Sequence, residues 1–201
     1  MRPVIRVHVP LIVCLALMAC RGAEPQRPDG PAAGSAAEAR FELRGPAGSQ
    51  RLAWSETAGN MVFCRHYDGA DRGDYLWIRL AATPEQDGDA GPRLDIDLCR
   101  FEEVGEDTEV GAMEAGQHGS HCRSEPGVAI WWHEGELAFN NGAVGDADCK
   151  LSLTRGEGRL AGRFSCGPLR RHVEAGEGDD RKDESVTVVG SFTCTPTVTD
   201  R

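Results

Sequence analysis

A period of two in the apolar residues constrains this chain more than any other feature. Leu76, Ile78 and Leu80 alternate with Tyr75, Trp77 and Arg79. Leu94, Ile96 and Leu98 alternate with Arg93, Asp95 and Asp97. Cys149, Leu151 and Leu153 alternate with Lys150, Ser152 and Thr154, and Val186, Val188, Phe192 and Cys194 share one parity. Successive side chains of a strand point to opposite faces, so this pattern predicts strands with one face in a core. No window carries an apolar stripe at helical spacing. The nearest, Glu102 to Gln117, is too rich in glycine and too poor in apolar residues.

Glycine-rich turn signals separate the runs, as at Gly45-Pro46-Ala47-Gly48 and Arg155-Gly156-Glu157-Gly158. The expected fold is all β: an antiparallel sandwich or partly open barrel of about nine or ten strands. Its expected span is 41–201. Two segments, Leu160–Cys166 and Val188–Cys194, both read aliphatic-x-Gly-x-Phe-x-Cys. A duplicated unit is one explanation. The preferred one is two core strands in which a bare glycine backbone makes room for a large neighbour.

Residues 1–20 read MRPVIRVHVPLIVCLALMAC. Arg2 and Arg6 precede an apolar stretch, Val9 to Ala19, of signal-peptide rather than membrane-spanning length. The stretch ends in Leu17-Met18-Ala19-Cys20, an aliphatic residue at −3, a small one at −1 and cysteine at +1. This N-terminus resembles bacterial lipoprotein precursors. The resemblance implies removal of residues 1–19 as a signal peptide and acylation of Cys20, as by palmitate, anchoring the chain to a lipid bilayer. Arg21 occupies the place of an inner-membrane retention aspartate, so the implied location is exported and, in a Gram-negative host, on the outer membrane. Residues 21–40 contain no Val, Ile, Leu or aromatic side chain and read as a disordered tether.

Export bears on the remaining cysteines. Setting aside Cys14 and Cys20 leaves Cys64, Cys99, Cys122, Cys149, Cys166 and Cys194. An even number in an oxidising compartment predicts three disulfides, with the pairing open. No two are spaced as a CxxC pair, which argues against a thiolate zinc site.

The net charge of −10 argues against nucleic acid as a partner. Candidate chemistry sits in three places. Asp68, Asp71 and Asp74 recur every three residues in a glycine-rich loop and could give oxygen ligands to Ca²⁺, although aspartate and glycine are also ordinary turn formers. His118 and His121 form an HxxH pair that could chelate a metal, or could be two loop histidines beside Cys122. Trp131 and Trp132 are adjacent, so in a strand one enters the core while the other faces out, where it could stack on a sugar or lie under a loop. GxSxG, SxxK, HExxH and phosphate-loop signatures are absent from the sequence. The expected function is a non-catalytic binding or envelope protein with a protein or glycan partner. A Ca²⁺-dependent or glycan-binding module and a hydrolase of unrecognised type are the alternatives.

Overall fold

A computed structural model describes residues 36–68, 74–83, 91–106, 108–113, 122, 125–135, 137–141, 147–172 and 184–200. Twelve strands account for most of them. In chain order they are β1 (Glu38–Gly45), β2 (Gly48–Ser55), β3 (Met61–Asp68), β4 (Tyr75–Ala81), β5 (Arg93–Cys99) and β6 (Glu109–Val110). Then follow β7 (Gly127–Glu134), β8 (Leu137–Asn140), β9 (Asp148–Gly156), β10 (Arg159–Arg171), β11 (Ser185–Cys194) and β12 (Pro196–Asp200).

All twelve belong to one open sheet, in the order β12-β3-β4-β5-β7-β8-β10-β11-β1-β2, with β9 beside β10 and β6 beside β9. The count exceeds the expected nine or ten. β6, with two residues, is too short to show a period.

The alternation translates directly into burial. Leu76, Ile78, Leu80, Leu94, Ile96, Leu98, Val128 and Ile130 all point inward and are fully buried. The sheet curls so that its β1–β2 end packs over the middle strand β7. Trp54 of β2 stacks on Trp132 of β7 with ring centroids 6.5 Å apart, and Phe41 of β1 meets the same indole edge-on at 6.1 Å.

β10 and β11 settle the meaning of the two similar segments. They are antiparallel neighbours, with Gly162 opposite Phe192 and Phe164 opposite Gly190. A Cβ on Gly162 would lie 2.3 Å from the Phe192 ring. A Cβ on Gly190 would lie 2.8 Å from the Phe164 ring and 2.3 Å from Phe41 Cβ. Each phenylalanine therefore occupies the space over the other strand's glycine, which is the packing solution expected for two core strands.

Three disulfides staple the sheet: Cys64–Cys194, Cys99–Cys122 and Cys149–Cys166. Cys149 and Cys166 are direct cross-strand neighbours of β9 and β10. Cys64–Cys194 ties β3 to the end of β11.

One boundary and one pairing differ from expectation. β1 begins at Glu38, inside the segment assigned to the tether, because Ala37 and Ala39 point inward and are buried despite their small size. Not every pair is antiparallel either. β12 runs parallel to β3, Pro196 opposite Cys64. Only Thr195 separates β11 from β12, so the chain crosses beside the Cys64–Cys194 bridge without room to reverse.

Candidate binding face and cleft

The outward positions of β3, β4, β5 and β7 form continuous rows. Phe63 lies opposite Arg79, Arg79 opposite Asp95, Asp95 opposite Trp131 and Trp131 opposite Asn140. In the adjoining row Arg65 lies opposite Trp77 and Trp77 opposite Asp97. Neighbouring strands are about 4.8 Å apart, so side chains in a row touch.

Asp95 is the hub. Its carboxylate accepts from Arg79 Nε at 2.8 Å and Arg79 Nη2 at 3.3 Å, and Arg93 Nε stands 2.9 Å away. His133 Nε2 lies 3.8 Å from the same carboxylate. Asp95 is only 7% exposed although it points away from the core, because two guanidinium groups cover it. A carboxylate so enclosed keeps its charge only with such partners.

Aromatic rings fill the spaces between the charges. The Arg79 guanidinium lies 4.4 Å from the centroid of the Trp77 ring, and Phe63 meets Trp77 edge-on at 5.1 Å. Arg65 lies over Phe63 and Tyr67 and donates to the Tyr67 hydroxyl at 3.2 Å. These are cation–π and edge-to-face contacts that hold each ring in one orientation. Trp131 points outward and is half-buried, stacked on His133 and edge-on to His172. Trp132 is in the core. The tryptophan pair thus divides as the alternation requires.

One end of this outward face is covered. Tyr67 and Tyr75 stack at 4.6 Å and pack with Cys99, Met113, Cys122 and Ala129 in a second apolar cluster. The Cys99–Cys122 disulfide holds that cover in place.

The aspartate loop is reached only at its ends. Asp68 closes β3, and its side chain, like the whole of Asp71, lies outside the described residues. Asp74 has both carboxylate oxygens engaged: His66 Nε2–H donates to Oδ1 at 2.6 Å and the Glu102 amide donates to Oδ2 at 2.5 Å. His66 is buried, with the Phe101 ring edge-on to it. These contacts join β3, the start of β4 and the turn after β5. His118, His121 and Cys20 also lie outside the described residues. Among the described residues, no three of His, Cys, Asp and Glu converge as metal ligands.

A cleft of about 280 Å³ opens between the β1–β2 turn and the β7–β8 hairpin. Leu43, Leu137, Phe139 and Val186 floor it, and Glu134 and Glu184 stand at its rim. The sequence pattern gives no sign of this cleft, since its walls come from five separate strands. It gives a partial sign of the Asp95 hub: Arg79, Asp95 and Arg93 all fall on the polar parity of adjacent runs. What it lacks is the register that sets them side by side. Comparison with family models, with curated proteins and with solved structures returns no match.

Proposed function

We propose that this chain is an exported bacterial lipoprotein that acts as a non-catalytic binding module of the cell envelope. Residues 1–19 are removed, Cys20 is acylated and holds the chain to the bilayer, and the segment after it spaces the β domain from the surface. In a Gram-negative host the membrane is the outer one. The Leu17-Met18-Ala19-Cys20 box supports the anchor. Three disulfides suit an oxidising compartment. No helix among the described residues is long and apolar enough to cross a membrane, which fits attachment through lipid.

The observation that carries the binding reading is the outward face of β3, β4, β5 and β7. Phe63, Trp77 and Trp131 face away from the core and stay partly exposed. A sheet face that faces water alone needs no large rings there. Ordered aromatic and guanidinium groups on an outward face are the composition of recognition surfaces, where they give contact area at low entropic cost. The partner is a protein or glycan of the envelope.

Two experiments test the two halves of this reading. Growth with an alkyne analogue of palmitate should label the wild-type chain and leave Cys20→Ser unlabelled and released from membranes. An unlabelled wild-type chain overturns the anchor. The purified, oxidised Cys20→Ser chain should then sediment with envelopes from cells lacking the protein, whereas the same chain carrying Arg65→Ala and Trp77→Ala should stay in the supernatant. Equal sedimentation of the two removes the face from the binding reading.

A further inference from the structure

The cleft beside the β1–β2 turn is separate from the outward face and has its own chemistry. We propose that it binds a small organic cation, with an ammonium head at Glu134 and Glu184 and an apolar body on Leu43, Leu137, Phe139 and Val186.

Three observations lead there. At about 280 Å³ the cleft has the capacity of a small-ligand site, close to the lower end of the usual range. Its floor is apolar, and Leu43, Phe139 and Val186 are buried. The rim carries two carboxylates that, among the described residues, have no cationic partner. Several acids on the sheet are paired instead. Glu42 bonds Arg44, Asp95 holds Arg79 and Arg93, Glu103 holds Arg100 and Asp74 holds His66. Glu134 and Glu184 therefore present uncompensated negative charge over a hydrophobic surface.

The wall is preformed. A Cβ on Gly45 would meet Val186 Cγ1 at 3.0 Å, so the turn already packs against the start of β11. Gly48, at φ 109°, takes a conformation that favours glycine and fixes the path of the turn. An anion is repelled by both carboxylates, and a neutral apolar molecule gains nothing from them. A metal ion would leave the apolar floor unused.

Calorimetric titration of the full mature chain, Cys20→Ser and oxidised, with hexylammonium, hexanol and hexanoate tests this. Hexylammonium should bind saturably, on the order of tenfold more tightly than hexanol, and hexanoate should give no heat of binding. Raising the salt should weaken hexylammonium and leave hexanol unchanged. The double variant Glu134→Gln, Glu184→Gln should lose the tenfold preference while its Tm stays that of the parent. Methyl resonances of Leu43, Leu137 and Val186 should shift on titration. Equal affinity for amine and alcohol, a double variant that still prefers the amine, absence of saturable binding, or shifts at other methyls would each overturn the proposal. None of these outcomes bears on the outward-face reading, which the sedimentation experiment tests separately.

Discussion

The β10–β11 ribbon and the β4–β5 ribbon have the same alternation and opposite outward faces. On β10 and β11 the outward residues are Ala161, Arg163, Ser165, Thr187, Val189, Ser191 and Thr193, small or solvated. Val189 is 47% exposed. The inward side holds the demanding geometry, with Phe164 and Phe192 each over the other strand's glycine. On β4 and β5 the inward residues are ordinary Leu and Ile, and the outward side is the elaborate one, with Trp77, Arg79, Asp95 and Asp97 partly or largely buried. One ribbon is specialised for packing and the other for its surface. Alternation locates a face without saying which use it has. Side-chain size on the polar parity is what distinguishes them.

Substitutions can break this contrast, and the largest effect belongs to the staple between β3 and β11. Replacing Cys64 and Cys194 by alanine frees a loop of sequence separation 130 in the unfolded chain. Stability in denaturant unfolding should fall by about 4–5 kcal/mol. A loss under about 1 kcal/mol would mean that β3 and β11 hold their places without it.

Gly190→Ala comes next. The new Cβ meets Phe41 Cβ at 2.3 Å and the Arg40 carbonyl at 2.6 Å, and backbone cannot move aside cheaply. The expected cost is about 3 kcal/mol, against the gain that alanine usually brings to a strand. Gly162→Ala meets side chains alone, the Phe192 ring at 2.3 Å and Leu153 Cδ2 at 3.2 Å, so Phe192→Leu should recover part of its cost. Additive losses in the double variant would contradict the interlock.

On the other ribbon, Asp95→Asn keeps the shape and removes the charge shared by Arg79 and Arg93. With the carboxylate largely buried, the loss should be about 2 kcal/mol by thermal or chemical unfolding, although the residue faces away from the core. A neutral outcome would place this hub with ordinary surface ion pairs.

The smallest effect is at Glu42 on β1. Hydrogen bonds from Arg44 first, then Ser49, hold its carboxyl down from 4.5 to about 2. A depressed acid stabilises the folded state above its unfolded pKa and loses that contribution as pH falls from about 4.5 through about 2. NMR titration should show Glu42 protonating last among its neighbours, and Glu42→Gln should flatten the acid limb of stability slightly.

The strands were legible because period two survives in Leu76–Leu80, Leu94–Leu98 and Val186–Cys194 without help from distant residues. The start of β1 was not. Ala37 and Ala39 lack the size that marks an inward position, and only pairing with β2 and β11 places Ala39 there. Disulfide pairing, the Asp95 hub and the cleft depend on register between strands far apart in the chain, as when β8 of the central hairpin meets the end of β10. Residue type supplied the ingredients of these features, and topology supplied their distances.

The most direct test of the contrast is a photo-crosslinker placed on each ribbon in the native envelope. A benzophenone amino acid in place of Phe63, at the end of the row through Arg79, Asp95 and Trp131, should give a discrete adduct on irradiation of cells. The same group in place of Val189, on the outward side of β11, should give none. Equal adducts at both positions, or an adduct at Val189 alone, would contradict the assignment of recognition to the outward face of β3, β4, β5 and β7.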